Sequence, residues 1–212
     1  MANEFLDALP MYAFNLQSSG LKEYLVDVDM DPHARYNFKL TLSGKETKHA
    51  EIYGNLFGIQ SGGGALESDY EVSPDALITL KRTCDIISSG IGTAIFIDYG
   101  LQKQRAGKLS LRAYNQHKMV PIFEKPGESD LTYDVDFDLL QRVIKAQPDK
   151  HCLQFTNSSQ RDFLLQAGIA ARAAKLIKDN PSNGREIQES VSKLINDMGS
   201  LFSVLTIQSR GK

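Results

Sequence analysis

The feature that most constrains the fold is a short apolar run, GTAIFIDYG, at positions 92–100. The run does not alternate between apolar and polar residues, so a strand formed here is expected to be buried on both faces, as in the middle of a parallel sheet. A helix is predicted just before it, because Ser73 and Pro74 form a helix start and apolar residues recur at helical spacing as far as Gly90. Helix followed by buried strand is the repeating unit of α/β folds, and the sequence therefore predicts an α/β fold.

Further elements are predicted on both sides of this unit. Two segments that flank Gly20, at 11–19 and 21–30, predict a hairpin, with 35–42 as a third strand. The Gly-rich segment 44–69 is expected to form an exposed, flexible loop, and 101–136 is expected to be irregular. The last part of the chain predicts, in order, a helix capped by Asp136, a strand at 152–155, a helix at 159–178, a helix from about Arg185 and a final strand at 201–208.

The composition excludes several classes of protein. A length of 212 residues suffices for one domain, and 42% hydrophobic and 24% charged residues are close to the average of soluble domains. The 24 Lys and Arg nearly balance the 26 Asp and Glu and form no basic segment, so a nucleic-acid partner is not predicted. No apolar run approaches the roughly 20 residues of a membrane-spanning helix. Cys84 and Cys152 have no His or Cys at metal-ligand spacing, and no metal site is predicted.

The first candidate functional residues are Asp98 and Tyr99, which end the buried strand. In open parallel sheets, ligands bind outside the carboxyl ends of the strands. A buried carboxylate without a partner costs several kcal/mol, so Asp98 needs either a partner or an open cleft. The alternative is an ordinary Asp that caps a turn.

The second candidate is the segment NEFLDALP at 3–10, which contains Asn3, Glu4 and Asp7. If this segment is helical, Glu4 and Asp7 share a face because they are three residues apart. Two carboxylates in this arrangement can bind a guanidinium through charge-assisted hydrogen bonds. The alternative is a capped helix start that follows a strand.

The long segment 101–136 contains the remaining candidates, His117 and several carboxylates. A histidine in a loop can act as a general base, although most such histidines are only solvated. Asp130 and its acidic neighbours lack the Gly and the final Glu of a calcium-binding EF-hand loop. No Gly-x-Ser-x-Gly motif occurs, which argues against an α/β hydrolase.

Taken in order, these segments resemble one family, the methyltransferases that include the mitochondrial complex I assembly protein arginine methyltransferase. The resemblance covers most of the chain and is weakest around 44–69. It is carried by six segments: NEFLDALP, AIFIDYG, LRAYNQHK, PGESDLTYDVDF, FLLQAGIAARAAKL and MGSLFSVLTIQ.

The resemblance implies a Rossmann-like methyltransferase sheet with a β-hairpin and a helical insertion, in a single domain over 1–212. In this family the glycine-rich cofactor turn lies upstream of the NEFLDALP segment. The chain is therefore expected to hold the carboxyl-terminal half of the domain without the first strands, and to bind S-adenosylmethionine weakly or not at all by itself. The resemblance implies roles for seven residues: Glu4, Asp7 and His117 in catalysis, Asn3 and Asp98 in cofactor binding, and Tyr99 and Asp130 in substrate binding.

The activity implied by the resemblance is symmetric dimethylation of an arginine on a complex I core subunit, in support of complex I assembly. A protein substrate and a mitochondrial matrix location follow from the family, although the first residues have no targeting composition. A homo-oligomer is also expected, because an unpaired sheet edge favours association. The alternative is a non-catalytic binding module that contacts a complex I subunit or a full-length homologue.

Overall fold

The computed structural model describes four stretches of the chain, residues 1–59, 67–100, 108–148 and 150–210. They form two compact units. The first unit contains the described residues within 1–6, 78–104 and 135–212, and the second unit those within 7–77 and 105–134. The single methyltransferase domain expected from the sequence stays a prediction.

Strands and helices alternate irregularly along the described chain. The strands are β1 (Ala2–Asn3), β2 (Tyr12–Gln17), β3 (Gly20–Val28), β4 (Phe38–Leu42), β5 (Asp69–Val72), β6 (Thr93–Tyr99), β7 (Arg112–Asn115), β8 (Lys118–Val120), β9 (Asp130–Thr132), β10 (Leu153–Ser159) and β11 (Phe202–Ser209). The α-helices are α1 (Lys48–Phe57), α2 (Pro74–Ser88), α3 (Phe137–Lys145), α4 (Gln160–Gln166), α5 (Ile169–Asp179) and α6 (Gly184–Ser192).

The first unit is built on a four-stranded sheet with the order β1-β6-β11-β10. Strand β6 pairs in parallel with β1 and antiparallel with β11, and β10 pairs antiparallel with β11. The α/β fold predicted from the sequence is confirmed, but β6 has only one parallel neighbour among the described strands. An apolar strand needs neighbours on both sides, and its own residues do not specify their direction.

Strand β11 forms the centre of this sheet. Four consecutive residues from Phe202 to Leu205 are buried, which requires that both faces of the strand be covered. Ser203 is the polar exception, and its hydroxyl donates a hydrogen bond of 2.6 Å to the carbonyl of Gly100. This bond fixes the start of β11 to Gly100, the residue that follows β6.

The second unit contains a four-stranded antiparallel sheet, ordered β4-β3-β2-β5, and a three-stranded sheet, ordered β8-β7-β9. The predicted hairpin and its third strand are confirmed as β2, β3 and β4. The centre of the Phe14 ring lies 6.0 Å from the ring centre of Tyr53 and 6.2 Å from that of Phe57. The ring centres of Phe57 and Tyr70 are 4.9 Å apart. These rings fill the space between α1 and the sheet.

The expectation of a loop without secondary structure over 44–69 is wrong for residues 48–57, which form α1. Thr47 caps the helix by accepting a hydrogen bond from the amide of Ala50, and Gly58 ends it with φ +72°. Both signals are present in the sequence, but glycines on either side obscure them. Residues 60–66, which include the Gly-rich stretch, lie outside the described residues.

The irregular structure expected over 101–136 is also corrected, because β7, β8 and β9 lie within it. These strands have only three or four residues each, too few to show a clear period in the sequence. The predicted helix over 159–178 is divided into α4 and α5 at Gly168, where φ is +80°. A glycine in this conformation ends one helix and starts the next without a steric penalty.

In the part of the chain that the structure describes, no helix has both the length and the apolar character needed to cross a bilayer.

Gly100 provides a test of this fold, because a side chain has no room there. A Cβ atom at Gly100 would lie 2.2 Å from the carbonyl oxygen of Val135 and 3.0 Å from the ring of Phe137, and the backbone φ is +152°. We expect Gly100→Ala to lower the free energy of unfolding by roughly 2–4 kcal/mol, through steric overlap and backbone strain, in a urea titration. Gly90→Ala is the control, since no atom lies within 4 Å of its added Cβ. Equal stabilities of the two variants would contradict the close approach.

Candidate functional site

The candidate site of the first unit lies at the carboxyl ends of the parallel strands β1 and β6. The register pairs Asn3 with Ile97, and the amide of Glu4 donates a hydrogen bond of 2.9 Å to the carbonyl of Ile97. Glu4 is exposed and has a φ of +48°, a conformation that is uncommon for residues other than glycine. The amide side chain of Asn3 donates to the carboxylate of Glu4 at 3.2 Å. An exposed carboxylate is thus held in a strained backbone at the edge where ligands bind in α/β sheets.

The buried side chain of Asp98 stabilises this arrangement. Its side chain is 1% exposed, and one carboxylate oxygen accepts hydrogen bonds from the amides of Phe5 at 3.0 Å and Leu6 at 2.8 Å. The other oxygen accepts from the amide of Tyr99 at 2.9 Å. Hydrogen bonds from backbone amides therefore offset the free-energy cost of burying the Asp98 carboxylate. The same bonds fix the two residues that follow Glu4.

Tyr99 and Gly100 connect this site to neighbouring segments of the first unit. The carbonyl of Tyr99 accepts a hydrogen bond of 2.8 Å from the amide of Val135, and the ring of Tyr99 packs 4.2 Å from the ring of Phe202. The amide of Gly100 donates to the carbonyl of Leu201 at 3.2 Å. The end of β6 is therefore held by several segments of the first unit.

These contacts decide two of the alternatives left open by the sequence. Residues 4–10 contain no helix, so the interpretation of NEFLDALP as a capped helix start is wrong. Glu4 cannot share a helical face with Asp7 for the same reason. Asp98 does more than cap its own turn, because it accepts hydrogen bonds from the amides of Phe5 and Leu6, which are more than 90 residues away in sequence.

The second unit contains the remaining candidates, Asp7, His117 and Asp130. Asp7 is buried, its carboxylate accepts a hydrogen bond of 2.6 Å from the hydroxyl of Thr132, and its carbonyl accepts from the amide of Tyr133 at 3.3 Å. Asp130 is exposed at the start of β9, opposite Tyr114. The structure therefore places Asn3, Glu4, Asp98 and Tyr99 in one unit and these three residues in the other.

His117 lies at the tip of the β7–β8 hairpin. The two-residue turn consists of Gln116 and His117, with φ values of +48° and +62°. Two positive values identify a type I′ turn, which normally contains Asn and Gly. The turn is strained and exposes the imidazole, and strain of this kind is frequent at functional positions.

A network of carboxylates in the second unit was not predicted. The carboxylate of Glu71, on β5, accepts hydrogen bonds from the amides of Ser110 at 3.0 Å and Leu111 at 3.1 Å, and also from the Ser110 hydroxyl. Arg112 forms a salt bridge of 2.8 Å with Asp134. Polar residues within the short strand DYEV were the only signal in the sequence, and they do not reveal their partners 40 residues away.

Burial raises the pKa of two groups in the second unit, Glu71 and Tyr24. Burial raises the pKa of Glu71 above its ordinary value, although hydrogen bonds from Ser110 and Leu111 lower it. Burial, together with the hydrogen bond from its hydroxyl to Asp69, raises the pKa of Tyr24 to about 12. Both groups fasten segments of the second unit through their hydrogen bonds.

Within the described ranges, no group of three or more His, Cys, Asp or Glu side chains is arranged to hold a metal ion.

The first unit has an α/β fold with a mixed sheet. Polar residues lie at the carboxyl ends of its two parallel strands, which is the arrangement found in cofactor-binding enzymes. A family described as "Putative S-adenosyl-L-methionine-dependent methyltransferase" matches residues 1–156. The chain belongs to this family.

Relatives of known name support the same assignment. The chain is 32% identical over 205 residues to the mitochondrial protein arginine methyltransferase NDUFAF7 homolog of Caenorhabditis elegans, covering 95% of this chain and 45% of that protein. It is 29% identical over 210 residues to protein arginine methyltransferase NDUFAF7 of Danio rerio, covering 98% and 46%. The chain thus spans about half the length of the curated relatives it matches.

Two crystal structures from Burkholderia thailandensis share the fold. One, of an uncharacterized protein, has a TM-score of 0.78 at 29% identity and covers 99% of this chain and 54% of that chain. The other contains S-adenosyl-homocysteine and has a TM-score of 0.75 at 26% identity, with coverages of 97% and 52%. The fold of this chain is therefore that of solved proteins of the methyltransferase class.

The role of Asp98 predicts the effect of replacing it. Asp98→Asn puts an amide donor against backbone N–H groups, and we expect the free energy of unfolding to fall by about 2–3 kcal/mol. Asp85→Asn is the matched control, because Asp85 is exposed and forms only a surface pair of 2.9 Å with Lys81. Its effect is expected to stay below about 0.5 kcal/mol in the same denaturant titration. If Asp98→Asn leaves the free energy of unfolding unchanged, the buried carboxylate does not hold the segment after β1.

The raised pKa of Glu71 predicts a pH dependence of stability. The folded protein retains a proton on Glu71 where the unfolded chain has lost it, so this stabilising contribution is complete below the ordinary pKa of 4.5. It is lost as the pH rises through the raised pKa. Glu71→Gln keeps an acceptor for both amides and cannot titrate, so its melting temperature should rise relative to that of the unmodified chain as the pH increases from about 4.5. A difference that is constant with pH, or that changes in the opposite direction, contradicts this prediction.

Proposed function

We propose that this chain is part of a protein arginine methyltransferase that symmetrically dimethylates an arginine of a complex I core subunit and so supports complex I assembly. Membership of the methyltransferase family and the names of the relatives support the arginine specificity. The mitochondrial matrix is the proposed location, because the relatives are named as mitochondrial proteins.

The observation that carries the proposal is the conformation of Glu4. A non-glycine residue at a φ of +48° costs free energy, and here it is maintained by the bond to Ile97 and by the bonds of Asp98 to the next two residues. The structure thus holds an exposed carboxylate in an unfavourable backbone conformation, which is expected where the position of that carboxylate matters for function.

A carboxylate suits the chemistry of a guanidinium group. The guanidinium is positively charged and its nitrogen lone pairs are delocalised, so methylation requires that one nitrogen be oriented and that its charge be balanced. Glu4 can accept N–H hydrogen bonds from the guanidinium and hold it in a fixed orientation. After the transfer the modified nitrogen releases a proton, and a carboxylate or imidazole can receive it.

S-adenosylmethionine, when bound, supplies the electrophilic methyl group. The exposed side chains of Asn3 and Glu4 fit such a donor because their oxygens can accept hydrogen bonds from ribose hydroxyls or an amino group. We propose that Asn3 binds the cofactor. Asp98 is proposed to act on the cofactor site mainly by positioning Glu4, since its carboxylate accepts three backbone amides.

The remaining candidates are proposed to contact the substrate or the reaction. His117 and Asp7 are the proposed further catalytic residues, with the strained turn favouring His117. Tyr99 and Asp130 are proposed to bind the substrate. Asp7 also accepts a hydrogen bond from Thr132, so a structural contribution of this carboxylate accompanies its proposed role.

We further propose that the 212 residues by themselves bind S-adenosylmethionine weakly and transfer no methyl group. Within the described sheet, β1 has a strand on one side only, and the relatives extend over about twice the length that this chain covers. The non-catalytic binding module remains the second candidate function, because an unpaired strand edge can bind another chain.

A chimera tests both parts of the proposal. In the chimera, this chain replaces the matching part of the Caenorhabditis elegans relative. We expect the chimera to transfer a radiolabelled methyl group to arginine in a complex I core subunit, and Glu4→Gln to lower the rate by about 10²–10³-fold with little change in melting temperature. Mass spectrometry of the product identifies symmetric dimethylarginine.

Glu46→Gln is the control, because Glu46 is exposed and lies outside the candidate site. If Glu4→Gln retains full activity, or if it unfolds the chimera, Glu4 has no catalytic role. Calorimetry of the isolated chain is the second arm. Micromolar binding of S-adenosylmethionine by the 212 residues would overturn the proposal that they bind the cofactor weakly, and an inactive chimera would favour the binding module.

A further inference from the structure

A short π-helix, Lys193–Asp197, follows α6 and leads toward the start of β11. Its characteristic hydrogen bond runs from the amide of Met198 to the carbonyl of Lys193, five residues earlier, at 3.0 Å. Helical turns of this kind are rare, and they are frequent at functional sites. None of the residues proposed for catalysis or binding belongs to this π-helix.

The π-helix deprives a backbone carbonyl of its α-helical donor, and α4 supplies a replacement. In a continuous α-helix the carbonyl of Leu194 would accept from the amide of Met198, which here bonds one residue farther back. The side chain of Gln160 donates to the Leu194 carbonyl at 3.0 Å. The Nε group of Arg161 donates to the next carbonyl, that of Ile195, at 2.9 Å. The first two residues of α4 therefore hold the π-helix in its conformation.

Gly199 allows α4 to approach the residues that follow the π-helix. A Cβ atom at Gly199 would overlap the carbonyl oxygen of Ile195 and lie 2.9 Å from the Cβ of Arg161. The carbonyl of Gly199 accepts a hydrogen bond of 3.1 Å from the amide of Arg161. Gln160 is 6% exposed, and a buried amide without a hydrogen-bond partner is destabilising. Both the backbone and the side chains of α4 are therefore fixed to this segment.

Helix α4 begins at the same edge of the sheet as the candidate site. Strands β10 and β6 both run antiparallel to β11, so their carboxyl ends lie at one edge. Ser159 ends β10 and caps α4 by accepting a hydrogen bond of 3.1 Å from the amide of Asp162. Ser159 lies opposite Ser203, which lies opposite Asp98, so α4 begins two strands, or roughly 10 Å, from the end of β6.

Three residues after the π-helix hold Tyr99 and Gly100. The carbonyl of Leu201 accepts from the amide of Gly100 at 3.2 Å, and the hydroxyl of Ser203 donates to the carbonyl of Gly100 at 2.6 Å. Between them, the ring centre of Phe202 lies 4.2 Å from that of Tyr99. The position of Tyr99 and Gly100 therefore depends on the start of β11.

Met198 joins the π-helix to these contacts. Its amide forms the hydrogen bond that defines the π-helix, and its carbonyl accepts from the amides of Leu201 at 3.0 Å and Phe202 at 3.1 Å. A change in the π-helix is therefore passed to the residues that hold the end of β6. The path from Gln160 to Tyr99 consists of consecutive hydrogen bonds and one ring contact.

We propose that Gln160, acting through the π-helix, positions Tyr99 and Gly100 for binding of the protein substrate. The inference rests on the proposed function, which gives Tyr99 the role of binding that substrate. Gln160 contacts neither the substrate nor the cofactor in this scheme, and it is therefore a positioning residue. A purely structural Gln160 would affect stability without a selective effect on substrate binding.

Kinetics of the chimera test this role with the complex I core subunit as substrate. Gln160→Met keeps most of the side-chain volume and removes the amide donor. We expect the KM for the core subunit to rise about fivefold to tenfold, because the substrate meets a less well positioned Tyr99. The kcat and the KM for S-adenosylmethionine should change by less than about twofold. A loss confined to kcat, or an unchanged KM for the core subunit, would overturn the proposal.

Gln147→Met is the matched control. The side chain of Gln147 also donates to a backbone carbonyl, that of Val143 at 3.1 Å, but this carbonyl is only four residues away in sequence. The control should keep the KM of the unmodified chimera. Equal increases in KM for Gln160→Met and Gln147→Met would contradict a specific role of Gln160.

A double variant tests whether Gln160 acts through Tyr99. Tyr99→Leu keeps an apolar side chain against Phe202 and removes the aromatic ring and its hydroxyl. Once Tyr99 is replaced, adding Gln160→Met should raise the KM for the core subunit no further. Increases that multiply fully in the double variant would show that Gln160 acts elsewhere, and they would overturn the proposal.

Hydrogen exchange of the isolated chain measures the positioning without methyl transfer. In Gln160→Met, the amides of Gly100, Leu201 and Phe202 should exchange about tenfold faster, because the segment that holds their acceptors is loosened. The amide of Leu205, in the middle of β11, should keep its rate in the same residue-resolved NMR measurement. Uniform acceleration of all four amides, or no change at Gly100, would overturn the proposal.

Arg161→Met is the second variant. Arg161 is exposed, so loss of its Nε donor should accelerate exchange of the Gly100 amide in the same direction but by a smaller factor. An inactive chimera would contradict the proposed function alone, whereas unchanged exchange at Gly100 in Gln160→Met would contradict this inference alone.

Discussion

The buried carboxylate of Asp98 is the interaction on which the first unit most depends. A charged side chain with 1% exposure is stable only if strong hydrogen bonds replace its hydration, and backbone amides on both sides of the carboxylate do so. These bonds join the end of β6 to the residues after β1. The strained backbone of Glu4 follows from this constraint, because its neighbours on the carboxyl side are fixed.

Carboxylates perform the same task in the second unit. Glu71 accepts the amides of Ser110 and Leu111, and Asp7 accepts the hydroxyl of Thr132, so segments far apart in sequence are joined by acidic side chains. Glu71 thereby holds the backbone of a distant segment, and Asp7 holds a distant side chain. Glu4, near β1, is exposed and is available for a positively charged ligand. This division between buried and exposed carboxylates explains why a chain with balanced charge can carry an acidic site.

The sequence predicted elements well where a residue pattern is local. The run that forms β6, the cap at Ser73 and the β2–β3 hairpin are patterns of neighbouring residues, and each is present in the structure. Helix α1 was not predicted although Thr47 and Gly58 mark its ends, because the glycines around and within it give the segment the composition of a loop. The short strands β7–β9 were missed because pairing across the sheet stabilises them more than their own residues do.

For the site, the sequence by itself determined which residues are candidates. Asp98 and Tyr99 end a predicted buried strand, and Asn3 and Glu4 belong to a cluster of polar side chains that can bind a ligand. Only the tertiary structure decided what each does. Asp98 is buried and bonds to Phe5 and Leu6, whereas Glu4 is exposed and held in a left-handed conformation. The physical reason is that hydration and hydrogen-bond partners depend on residues more than 90 positions away, and a one-dimensional pattern contains no information about those distances.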